Sequence, residues 1–144
     1  LDANTAGCLV YSYDRGSDGA TNNSDYYGFK LVSGEVLIRD GTLNNLLSCS
    51  VGIWQGISDK ATVLIDRLVF RTDGSQCKVA GSDNTACTGY VASTRALPSA
   101  PGNYVETRRI DIELAGHLVS DPSVSKVLRA TVKVRNDRLI AVSP

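Results

Sequence analysis

Residues 8–34 read Cys-Leu-Val-Tyr-Ser-Tyr-Asp-Arg-Gly-Ser-Asp-Gly-Ala-Thr-Asn-Asn-Ser-Asp-Tyr-Tyr-Gly-Phe-Lys-Leu-Val-Ser-Gly. The two ends of this stretch, set against its polar middle, decide the fold class. Residues 8–13 are rich in aromatic and β-branched types, which suit a half-buried pleated surface. The run Asp14-Arg-Gly-Ser-Asp-Gly19 stops that strand with residues that tolerate tight or left-handed turns. Residues 26–32 return as a second strand. Ser33-Gly34 then hands over to residues 35–39, where Val36 and Ile38 alternate with polar neighbours. A three-stranded antiparallel meander, opened by a cysteine, is the expected nucleus.

Outward from it, the last third is the next clearest region. Ile110, Ile112 and Leu114 alternate with Arg109, Asp111 and Glu113. Beyond Ser120-Asp-Pro122, Leu128, Ala130, Val132 and Val134 alternate with Arg129, Thr131, Lys133 and Arg135. Two antiparallel amphipathic strands are expected there, each with one covered face and one face in water. Residues 61–72 are ambiguous. Ala61, Leu64, Ile65 and Leu68 fit a helical stripe, while Thr62, Val63, Ile65, Val69 and Phe70 favour a strand. The turn signal Thr72-Asp-Gly74 suits a hairpin and tips the reading to a mostly buried strand.

The remaining segments carry weaker signals. Residues 1–7 look like the last turn of something that precedes them, with Gly7 as a helix C-terminal residue. Leu43, Leu46 and Leu47 suggest one helical turn over residues 42–47. Residues 51–54 are a short apolar piece holding the only tryptophan, Trp54. Residues 74–102 form a long excursion of low hydrophobicity, unusual in a compact domain without a cross-link.

The totals bound the class. A chain of 144 residues is expected to form one domain, spanning residues 1–144, with a real core. Fifteen Lys plus Arg offset fifteen Asp plus Glu, so bulk charge draws the protein to neither nucleic acid nor an anionic membrane. The chain has no Met and starts at Leu1, as a mature or truncated piece would. No apolar run approaches the roughly 20 residues that cross a bilayer, and no signal peptide is visible.

The four cysteines include no C-x-x-C pair, and the single His117 is distant from all of them, which argues against structural zinc. Three pairings are possible. Cys77 and Cys87 bracket a loop of small polar residues and are expected to pair, which leaves Cys8 to join Cys49. An oxidised, exported protein is therefore expected rather than a cytosolic one with four reduced cysteines.

Catalytic signatures are sparse. There is no G-x-S-x-G, no phosphate-binding glycine loop and no H-E-x-x-H. His117, at a strand end, reads as a surface or packing residue rather than a base. Asp111 and Glu113 share one strand face with Arg109, the pattern of a solvated charge ladder. The one metal candidate is residues 14–25, where Asp14, Asp18 and Asp25 fall at positions 1, 5 and 12 of a calcium loop. Position 3 is Gly16, and an Asp/Gly-rich turn accounts for the same residues without metal. Arg108, Arg109, Lys126, Arg129, Lys133, Arg135 and Arg138 make the C-terminal hairpin locally basic. Asp111, Glu113 and Asp137 offset them, which favours a wet sheet face over a polyanion site.

Taken together, Cys8-Leu-Val-Tyr-Ser-Tyr-Asp14, the Asp/Gly turn, Tyr27-Gly-Phe-Lys-Leu31, Gly34-Glu-Val-Leu-Ile-Arg39, Cys49 followed by Trp54, and Val132-Lys-Val-Arg-Asn-Asp137 resemble the soluble periplasmic part of a PilW-type minor pilin of the type IV pilus. The resemblance implies an α+β, pilin-like fold, mostly antiparallel β in this piece, whose N-terminal transmembrane helix is missing. Residues 1–7 would be the helix exit, 8–39 the meander, 74–102 a disulfide-containing loop and 104–138 the C-terminal strands. It further implies a cleaved leader, a methylated N-terminus, and a Gram-negative inner-membrane location before assembly into an extracellular pilus. The implied role is structural: helping to start assembly near the tip by docking with other minor pilins and the major pilin, without catalysis, cofactor or specific nucleic acid. A type II secretion pseudopilin shares these features. A reading of another class is a secreted β-domain that binds calcium through residues 14–25 or a polyanion through the basic hairpin.

Overall fold

The computed structural model of the chain describes residues 2–4, 7–12, 26–40, 48–82, 85–92, 96, 98–134 and 138–143. Eleven strands follow in chain order: β1 (Asp2–Asn4), β2 (Cys8–Ser12), β3 (Tyr26–Val32), β4 (Glu35–Asp40), β5 (Ile53–Gly56), β6 (Val63–Arg71), β7 (Gln76–Val79), β8 (Gly102–Thr107), β9 (Arg109–Leu118), β10 (Ser125–Lys133) and β11 (Arg138–Val142). They form three sheets, ordered β1-β2-β3-β4-β5, β10-β9-β6 and β11-β8-β7. By contact the chain divides into two units, residues 1–70 with 113–129, and residues 71–112 with 130–144.

The expected α+β, pilin-like class is corrected. The described residues are all β, with no helix among them, and none offers a helix long and apolar enough to cross a membrane. Where residues 1–7 were expected to leave a helix, Asp2–Asn4 pairs antiparallel with Cys8–Val10. Gly7 has φ 75°, a left-handed conformation that closes a hairpin as readily as it ends a helix, so the glycine alone misled. The helical turn expected over residues 42–47 lies outside the described residues.

In the first unit the meander is β2, β3 and β4, extended by β1 on one side and β5 on the other. Val10, Gly28, Arg39 and Trp54 lie directly opposite one another across four strands. Ser33 and Gly34 form the two-residue turn between β3 and β4 with φ of 49° and 80°. Positive φ at both positions matches the right-handed strand twist, and only a glycine adopts it without strain at the second. Cys8, Val10, Tyr26 and Arg39, on one face of this sheet, are all buried. The Cys8–Cys49 disulfide (Cα–Cα 6.2 Å) fastens residues 48–52 to that face. Lys30 lies 4.2 Å from the centroid of the Trp54 ring, and burial holds its ammonium below the ordinary pKa of 10.5. Each disulfide contributes on the order of 3–4 kcal/mol by restricting the unfolded chain.

Strand β6 belongs to the same unit up to Phe70 and meets the meander at its turn, where Ile65 N donates to Gly34 O at 2.9 Å. Its burial slips phase. Ile65, Leu68 and Phe70 are buried while Asp66 and Arg67, consecutive in sequence, are both exposed. Both reach groups on one face of β9, the behaviour of a bulge that inserts one extra residue into a strand.

The second unit has its own core of Cys77, Tyr104 and Ile140, with Val79, Cys87, Tyr90 and Val142 packed against it. Cys77 and Cys87 are joined, with Cα atoms 5.4 Å apart. The stretch expected to be one long loop contains β7, which pairs antiparallel with β8. The turn at residues 72–75 forms, Ser75 N donating to Thr72 O at 2.9 Å. It is not the expected hairpin, because β6 and β7 belong to different sheets.

Candidate functional site

The residues with the most chemistry line β9, which β6 and β10 flank. Period-two alternation sends Arg109, Asp111, Glu113 and His117 to one face. Thr131 Oγ1 donates to Asp111 Oδ1, as do Arg109 Nε at 3.1 Å and Arg109 Nη2 at 2.9 Å. The Thr131 hydroxyl first, and the Arg109 guanidinium second, hold the Asp111 carboxyl below its ordinary pKa of 3.8. Glu113 accepts from Arg129 Nε at 2.9 Å and pairs with Arg67, so one carboxylate ties all three strands together. His117 Nδ1 lies 2.8 Å from Asp66 Oδ2. Within the first unit Glu113 thus sits between two arginines, and within the second Asp111 is held by Thr131 and Arg109, the cross-strand pairing expected of these two carboxylates.

The basic residues of the hairpin are largely spoken for. Arg109 and Arg129 serve the ladder, and Arg108 Nε lies 3.9 Å from Glu106 Oε2. Lys126 and Lys133 make no ion pair among the described residues. Arg135 and the side chain of Arg138 lie outside the described residues. So do Asp14, Asp18 and Asp25 of the calcium-loop reading. Among the described residues no group of three or more His, Cys, Asp or Glu is placed to hold a metal.

Strand β10 departs from expectation. Both of its faces are open, and all nine residues are exposed. Val127, Leu128 and Val132 are 48%, 53% and 47% exposed. The alternation places side chains correctly but says nothing about whether anything lies over them.

With fold and site in view, one comparison is decisive. A family model described as prepilin peptidase-dependent protein B matches residues 2–134. The chain belongs to that family. It is thus a type IV pilus-related protein, of a family associated with the Gram-negative envelope or surface; the match does not single out PilW. No curated protein and no solved structure matches the chain significantly.

Two buried ionisable residues were not marked by the sequence pattern. Arg39 is 1% exposed, beside a stretch where Gly52, at φ 105°, leaves room for its guanidinium; a Cβ at Gly52 would come 2.5 Å from Arg39 Nε. Burial pulls the Arg39 pKa down, and the neighbouring Tyr26 opposes that shift. Glu106 is 2% exposed and accepts from Tyr90 Oη at 2.9 Å. Both are charged side chains of types for which solvent is the default partner, so residue type alone argued against their burial. The glycine at Gly52 was the one available hint that a large side chain had to be accommodated.

Proposed function

We propose that the chain is a structural minor pilin, a low-abundance subunit that helps to start filament assembly near the tip by docking with other minor pilins and the major pilin. The family match over residues 2–134 is the observation that carries this reading. The two disulfides agree with a domain that matures in an oxidising compartment, here the periplasm, before reaching the cell surface. The proposal assigns the domain no turnover. Its ionisable groups on β9 are engaged with one another on an open sheet face, His117 with Asp66 and Glu113 with two arginines, rather than converging on a cleft.

Deleting the gene in its Gram-negative host and counting surface filaments by electron microscopy tests the reading. The expected result is a sharp fall in filament number, restored by the intact gene, with the protein detectable in sheared filaments. Unchanged filament numbers, with the protein absent from the sheared fraction, would remove the proposal.

A further inference from the structure

Strand β10 is the edge of the β10-β9-β6 sheet, nine residues long and exposed throughout. Its inner side is fixed by two hydrogen bonds, Leu118 N to Val124 O at 3.0 Å and Val134 N to Arg108 O at 2.9 Å. Even-numbered residues therefore turn their peptide groups toward β9. Alternation sends the N–H and C=O groups of Ser125, Val127, Arg129, Thr131 and Lys133 outward. Such a row is a template for another strand. Nothing in Ser-Lys-Val-Leu-Arg-Ala-Thr-Val-Lys is a proline that would spoil it.

The strand's charge selects the occupant. It carries Lys126, Arg129 and Lys133 and no carboxylate. A second copy of β10 laid alongside would set cation beside cation, which is unfavourable across a strand pair. Alternation puts Arg129 and Lys133 on one face of β10 and Leu128 and Val132 on the other, so a segment alternating acidic with apolar residues sets its carboxylates against Arg129 and Lys133 and its apolar side chains against Leu128 and Val132. We propose that β10 accepts, by strand addition, an extended acidic and apolar segment of another protein subunit. The identity of the occupant as a subunit rests on the docking role proposed above; the acceptor edge itself rests on backbone direction, exposure and charge.

The probe is a capped nine-residue peptide alternating Glu with Val and Thr, titrated into isotope-labelled protein and followed by amide exchange. Saturable binding is expected, with the amides of Val127, Arg129, Thr131 and Lys133 slowed by at least about tenfold as they gain a strand partner, and the intervening amides unchanged. A peptide with Lys in place of Glu should not bind. Val127→Pro removes an outward N–H without touching the β9 ladder and should abolish binding. The double variant Lys126→Glu with Lys133→Glu should also abolish it while leaving the melting temperature within a degree or so, which covers the case of a proline variant that does not fold. Absence of binding at millimolar Glu peptide, equal binding of the Lys peptide, or full binding by the charge-reversed variant would each overturn the proposal. So would sedimentation showing a dimer that Val127→Pro dissolves, since the occupant would then be a second copy. Failure with these peptides removes the acceptor edge alone; the assembly role stands or falls on the filament count.

Discussion

Strands β6 and β10 lie on opposite sides of β9, have nine residues each, and meet opposite fates. The pattern of β6 is the poorer one, with its phase slipping at Asp66 and Arg67, yet it buries Ile65, Leu68 and Phe70. The pattern of β10 is nearly ideal, and every residue is exposed. Periodicity therefore reports which side of a sheet a residue occupies, whereas burial depends on what else the chain brings to that side.

The contrast can be broken first at its strongest point. Phe70 is 2% exposed, so Phe70→Ala should destabilise the protein by about 3–5 kcal/mol in urea unfolding, through lost transfer energy and the cavity left behind. A loss under about 1 kcal/mol would mean that β6 is not the buried partner described. Glu113→Gln comes next, since its carboxylate holds both Arg67 on β6 and Arg129 on β10. Both arginines are more than half exposed, so solvent screens the pairs and a loss of about 1 kcal/mol is expected in the same assay.

Acid sharpens the β9–β10 side. The folded pKa of Asp111 is depressed by Thr131 and then Arg109, so its contribution to stability is fully present above the unfolded carboxylate value of about 3.9. That contribution is lost as pH falls from there through the lower folded pKa. Asp111→Asn should lower stability at neutral pH, where the ionised carboxylate makes its full contribution, and flatten the profile below about pH 4, so that variant and parent converge in acid; a difference that persists undiminished at the acid end would contradict this. The smallest effect is expected at Leu128→Ala, under about 0.5 kcal/mol, because the leucine is already half in water. A loss above about 2 kcal/mol would show β10 to be covered in solution.

These strands also show what could be read in advance. The meander was legible because Ser33-Gly34 can hardly be anything but a tight turn between two alternating runs. The charge ladder was legible because Asp111, Glu113, Arg129 and Thr131 keep strict phase. The helical stripe through Ile65 and Leu68 was the signature of a bulge: one inserted residue turns a period of two into a step of three. Strand β7 was lost inside a polar stretch because only Cys77 and Val79 mark it, and a four-residue strand leaves little pattern. Buried Arg39 and Glu106 were out of reach, since alternation predicts a side chain's direction and not its company.

The connectivity of the cross-links has a consequence for how the chain matures. Along these 144 residues the bridges are sequential and do not interleave, Cys8 with Cys49 and then Cys77 with Cys87. A polypeptide threaded through a membrane N-terminus first would present each partner before a wrong one had emerged, so an oxidase joining thiols in order of arrival reaches the native set with no isomerase. Trapping the emerging chain with an alkylating agent and mapping its bridges by mass spectrometry checks this, and a dominant Cys8–Cys77 species would contradict it.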